Sequence, residues 1–258
     1  MHLIKKNGYY VTYNENRLNF YLDKINDSGN VCVIDFESFQ ISKFIKHKYE
    51  KIDVQDVPFC VGVGMIKHDD TTNSYSIENK QAKSYEPCMM NEEQLIGHVN
   101  EMSLFLENYF KENKVEKLVV LAKFNEEQAL KFMTRINPNL EIEPRLIDRM
   151  IDIYKFYDNH DNFNILGYGF TLKKFMKSFM KLEVNDQLSN QKIGIISSEH
   201  FSKGTNFKRW HLVEEHNIND LDKAVWLLNK MVELKNTKPE DILNDEHLNI
   251  EKNEIIEI

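Results

Sequence analysis

The sequence predicts an α/β protein with a mixed central sheet flanked by helices. Three observations carry that expectation. Residues 31–36 read Val-Cys-Val-Ile-Asp-Phe, a short apolar run of β-formers. A second run follows Pro58, Phe-Cys-Val-Gly-Val-Gly-Met-Ile, and the polar segment 67–73 behind it suits a hairpin turn into a third strand at 74–78. Beyond residue 90 the apolar spacing changes to three and four, and helices then alternate with strands.

Each element has its own signal. Residues 1–30 are polar and aromatic, a lead-in with a short helix at 16–25. After the first strand, a charged stretch through Asp56 forms a loop. Leu95, Val99, Met102, Leu106 and Phe110 make one helical face over 91–110, with Asn91 as N-cap. Residues 117–122 are a continuous apolar strand, buried on both faces. A helix over 126–136 closes at Pro138, and 144–148 reads as a fifth strand. An amphipathic stretch with Met150, Ile153, Tyr154 and Tyr157 follows, then a Gly-containing loop at 163–170. Residues 171–180 form a helix with Leu172, Phe175, Met176 and Phe179 on one side, and 207–231 one or two more helices. The expected organisation is a lead-in at 1–30, one domain at 31–235 and an acidic tail at 236–258, with no internal repeat.

Composition narrows the function. With 41% hydrophobic and 11% aromatic residues in 258, the chain can build a core and is not disordered. A net charge of −8 argues against a general nucleic-acid binder, which shows a basic excess. It is compatible with an enzyme that grips one strand locally, because metal sites add carboxylates. The three cysteines, Cys32, Cys60 and Cys88, contain no Cys-x-x-Cys, so a zinc ribbon is not expected. Cys32 and Cys60 sit in apolar runs and read as buried free thiols. That fits a reducing cytoplasm. The first residues lack the apolar core of a signal peptide, and no run approaches the ~18 apolar residues of a membrane span.

The chemistry-bearing residues are acids. Asp35 and Glu37 are alternate residues of one strand and leave it on the same face. Two close negative charges repel unless something positive lies between them. A hard divalent cation, Mg²⁺ or Mn²⁺, meets that need; the plain alternative is that acids often flank strands. Glu126 lies at the start of the helix after the fourth strand, where the helix dipole favours negative charge, and Leu130 one turn later packs inward. Glu127 is the alternative, and both may simply decorate a helix start. His216 and Asp220 are four apart, so on a continuous helix they share a face. Asp220 then binds metal while His216 orients or deprotonates a water. Otherwise Asn219 or Asp220 caps a helix and His216 is a surface imidazole.

Other candidates are weaker in chemistry. Asp148 is either an acid supporting the metal ligands from behind or an ordinary strand-end residue. Thr171, Lys173 and Lys174 suit a phosphate backbone at a helix N-terminus, or are solvated. Lys203, Lys208 and Arg209 beside Trp210 suit stacked single-stranded bases, whereas Phe207, Trp210 and Val213 equally suit a core.

Asp35-x-Glu37, then Glu126, then His216-x-x-x-Asp220 resembles the DEDD exonuclease superfamily, the DnaQ-like branch of the RNase H-like fold. The element order, three strands, a helix, then alternating strands and helices, is similar too. The chain also resembles an uncharacterised bacterial family of DnaQ-like nucleases over about residues 31–235. The matching segments are Asp35-Phe36-Glu37, 122–126, Arg145-Leu-Ile-Asp148, Thr171-Leu-Lys-Lys174 and 216–220.

The resemblance implies a metal-dependent 3′–5′ exonuclease acting on the 3′ end of single-stranded DNA or RNA. Asp35, Glu37, Glu126 and Asp220 would hold two Mg²⁺ or Mn²⁺ ions about 4 Å apart. It also implies an upstream RecB-type nuclease domain as partner. The chain departs from the pattern in two places: His216 stands where the matching subtype has tyrosine, and the Tyr-Asn of the second motif is missing. A second expectation follows, a catalytically weak or inactive nuclease-fold module that binds nucleic acid or a partner nuclease domain. A polynucleotidyl transferase of the same fold fits less well, because that class draws its acids from separate elements.

Overall fold

The computed structural model describes residues 1–6, 8–27, 29–41, 49–52, 54–121, 123–140, 144–166, 175, 190–204, 210–238 and 241–242. The chain divides into two compact units, each gathered from separate segments. One comprises Met1–Asn26, Ile153–Asn185 and Leu227–Ile258; the other comprises Asp27–Asp152 and Asp186–Trp226.

The first unit contains a hairpin of β1 (His2–Lys6) and β2 (Tyr9–Tyr13), with Gly8 at φ +83° in its turn. A third strand, β8 (Phe163–Ile165), pairs antiparallel with β2. Helix α1 (Glu15–Asn26) buries Leu18, Leu22 and Ile25. It starts where the Asn14 side chain accepts the Arg17 amide at 3.2 Å, an N-cap arrangement. Helix α5 (Tyr154–Asp158) brings Phe156 and Tyr157 into a ring cluster with Phe163 and Phe175. The lead-in of the sequence reading is therefore a strand pair and a helix, and the loop expected from residue 163 begins with a strand.

The second unit is built on a five-stranded mixed sheet flanked by helices. Its strands are β3 (Asn30–Gln40), β4 (Asp56–Asp69), β5 (Ser74–Ser84), β6 (Val115–Val120) and β7 (Ile151–Asp152), in the order β5-β4-β3-β6-β7. The β3, β4 and β5 pairings are antiparallel, whereas β3–β6 and β6–β7 are parallel. The β4–β5 turn is fixed by Asp69, which accepts the Thr71 amide at 2.8 Å and the Thr72 hydroxyl at 2.9 Å. Val31–Ile34 on β3 and Leu118–Val120 on β6 are buried, as central strands covered on both faces must be.

Helix α2 (Glu92–Glu112) opens with a full capping box between Asn91 and Gln94, and all five residues of its expected face are buried. Helix α3 (Lys123–Ile136) follows β6, and α4 (Pro144–Asp148) replaces the expected fifth strand. Proline is favoured in the first turn of a helix, because its missing N–H has no helical partner there. The strand comes later, as β7. Helix α6 (Asn190–Lys203) has no counterpart in the sequence reading. Helix α7 (His211–Lys235) is continuous and carries the last acidic motif. The expected helix at 171–180, with Thr171, Lys173 and Lys174, lies outside the described residues, as do Phe207, Lys208 and Arg209. Cys32 and Cys60 are buried free thiols, and Cys88 is exposed. No described helix is long and apolar enough to cross a membrane.

Candidate active site

The site of greatest chemical interest forms where α7 crosses the β3–β4 pair. Asp35 on β3 is registered against Gly62 on β4. A Cβ added at Gly62 would lie 2.0 Å from the Asn217 side-chain oxygen, so only glycine lets the helix approach this closely. Asn217 fills the hollow and donates from Nδ2 to the Asp35 backbone oxygen at 3.2 Å and to its carboxylate at 2.8 Å. One residue before Asn217 stands His216, and three residues after it Asp220. Both lie within a continuous helix, so neither Asn219 nor Asp220 caps a helix here. His216 is 3% exposed, not a surface imidazole.

Two features turn Glu37 and Glu126 inward. The β3–β4 register shifts between Glu37 and Ser38, an irregularity of the kind that re-aims side chains. Glu126, in the first turn of α3, is 2% exposed, and the amides of Glu126 and Phe36 support its carboxylate. Glu127 instead pairs with Lys131 on the outer face of α3.

Asp35, Glu37, Glu126 and Asp220 thus come from three distant segments into mutual electrostatic contact. Burial pushes the Asp35 carboxyl well above its ordinary value, and the charges of Asp220, Glu37 and Glu126 push it further. Burial and then Asp220 raise Glu37 to about 8. Burial raises Glu126 to about 8 as well, with Asp152 adding to it. His216 Nε2 lies 3.6 Å from Glu37 Oε1 and 3.7 Å from Asp220 Oδ1, between the two acids. Lys223, one turn beyond Asp220 and also buried, donates its ammonium to Asp220 Oδ1.

The donor set suits a hard cation. Buried carboxylate oxygens need either hydrogen bonds or a metal, and Glu37 Oε1 and Glu126 Oε2 have no hydrogen-bond partner among the described residues. The ligand atoms are nevertheless not drawn together: among the described residues no three His, Cys, Asp or Glu side chains form a ready ion cage.

Three contributors were not anticipated. Asp152, at the end of β7, is buried and accepts the Lys123 amide at 3.2 Å, at the start of the helix that carries Glu126. Asp148, the acid expected to support the ligands, is exposed at the end of α4. Asn217 and Lys223 are the other two. A signal for Asn217 exists in the sequence: glycine inside a strand marks close approach of another backbone or side chain, and Gly62 is such a glycine. Trp210 packs edge-on against Phe59 at 6.1 Å and beside His200 at 5.1 Å, on the core side rather than as an open stacking platform.

No protein-family model matches the chain, and no curated protein matches it in sequence.

Proposed function

We propose that this protein is a divalent-cation-dependent 3′–5′ exonuclease of the DnaQ-like kind, acting on single-stranded DNA or RNA. The observation that carries the reading is the meeting of Asp35, Glu37, Glu126 and Asp220 at one buried cluster, with two carboxylate oxygens left without hydrogen bonds. The mixed sheet, antiparallel in one half and parallel in the other, supports an RNase H-like reading of the fold. Such a cluster is costly to ionise alone and is relieved by bound Mg²⁺ or Mn²⁺.

A bound cation supplies Lewis-acid stabilisation of charge developing at the scissile phosphate and acidifies a coordinated water. The chain's own residues do the rest. Asp35, Glu37, Glu126 and Asp220 are the carboxylates available to cations. Asn217 fixes the Asp35 carboxylate. His216, held between Glu37 and Asp220, orients the attacking water or takes its proton. Asp152 steadies the N-terminus of α3 and with it Glu126.

The test is nucleotide release from 5′-labelled single-stranded DNA and RNA with Mg²⁺ or Mn²⁺. Wild-type protein should shorten the strand from its 3′ end, and Asp35→Ala should lose at least about a hundredfold of that activity. Equal activity of the two proteins, or none in wild type with either ion, defeats the proposal.

A further inference from the structure

Lys223 is a buried cation already inside the acidic cluster. It lies one helical turn from Asp220, on the same face of α7, and both side chains are more than nine-tenths buried. A buried ammonium is tolerated only where it is paired. Here it is bonded to Asp220 Oδ1, and its charge also reaches Asp35 and Glu37, favouring their ionised forms. The other lysine near this stretch of α7, Lys80, is bound to Asp222 at 3.0 Å. The carboxylate oxygens without hydrogen bonds lie elsewhere, on Glu37 and Glu126. The cluster is therefore divided: Asp220 is served by an ammonium, and the β3 and α3 acids have lone pairs to offer.

Resting on the metal reading above, we infer that the Lys223 ammonium takes the place of a second metal ion, so that the centre holds one divalent cation on Asp35, Glu37 and Glu126. A dication seated on Asp220 must compete with the ammonium for the same lone pairs and then lie beside its charge. A cation on the other three acids meets neither obstacle. The lysine thereby gives the cluster a fixed positive charge that does not depend on metal supply.

The experiment is a Mn²⁺ titration of the full chain, with free ion read by electron paramagnetic resonance. Wild type and Lys223→Arg should bind one ion per chain, and Lys223→Met should bind two. Asp220→Asn removes the alternative ligand and keeps the fold testable should Lys223→Met not fold. Its Mn²⁺ affinity should stay within about threefold of wild type, whereas loss of a true ligand should cost tenfold or more, about 1.4 kcal/mol. Two ions in wild type, an unchanged count in folded Lys223→Met, or a tenfold loss in Asp220→Asn overturns the inference while leaving a metal nuclease standing. No Mn²⁺ bound to any form overturns the metal reading itself and this inference with it.

Discussion

Asn217 holds Asp35 at two points, through its backbone oxygen at 3.2 Å and its carboxylate at 2.8 Å. One side chain thus ties the helix bearing His216 and Asp220 to the strand bearing Asp35 and Glu37. Removing it in Asn217→Ala should destabilise the protein by about 1–3 kcal/mol, the usual result of leaving a buried polar group without its partner. Urea unfolding followed by circular dichroism measures this. A change under about 0.5 kcal/mol would mean the contact does not organise the site.

Gly62→Ala places a methyl group against the Asn217 side-chain oxygen and should also destabilise. The damage should shrink when Asn217 is shortened at the same time. In a double-mutant cycle the pair Gly62→Ala and Asn217→Ala should therefore cost less than the sum of the two, by at least about 0.5 kcal/mol. Strict additivity would show that the two positions do not meet.

The acids make metal-free stability depend on pH. Glu37 and Glu126 are raised in the fold to about 8, chiefly by burial. The native state therefore favours their protonated forms. That contribution is complete below the unfolded value of about 4.3 and is lost as the pH rises through about 8. In chelator, stability should fall from about pH 5 to about pH 8.5 by a few kcal/mol, and Mn²⁺ should restore it most at the alkaline end. Glu126→Gln should stand higher than wild type in chelator at about pH 8 and respond less to Mn²⁺. Thermal melts at several pH values give the answer; a flat metal-free profile contradicts the buried-acid cluster.

Asp152 acts on Glu126 through charge and on α3 through the Lys123 amide. Asp152→Ala should cost about 1 kcal/mol of stability and lower the Glu126 pKa, since one cause of its rise is gone. Carbon-13 NMR of labelled glutamate carboxyls follows that titration. Asp148→Ala, at an exposed position, should leave stability within about 0.5 kcal/mol of wild type.

Much of this architecture is written in short-range pattern, and the exceptions have physical causes. The α2 face appears in the sequence because Leu95, Val99, Met102, Leu106 and Phe110 follow the helical period without interruption. Asp35 and Glu37 stand out because strand alternation needs only neighbours. Helix α6 hides because its buried face mixes Ile193 and Phe201 with Ser197 and His200, which blurs the apolar rhythm. Strand β7 is two residues long, too short to show any period, so the run from Pro144 attracts the strand assignment and Asp152 is passed over. Asn217 and Lys223 look like ordinary polar helix residues until the helix is laid across β3. Their roles come from contacts between segments far apart in the chain.

The hollow at Gly62 carries a lesson for descent. A side chain gained at 62 and the bulk present at 217 occupy one volume, so neither site can drift alone. Among natural relatives, those bearing alanine or serine at the first position should bear a smaller partner at the second, and such paired replacements would mark the lineages that moved the helix off the strand.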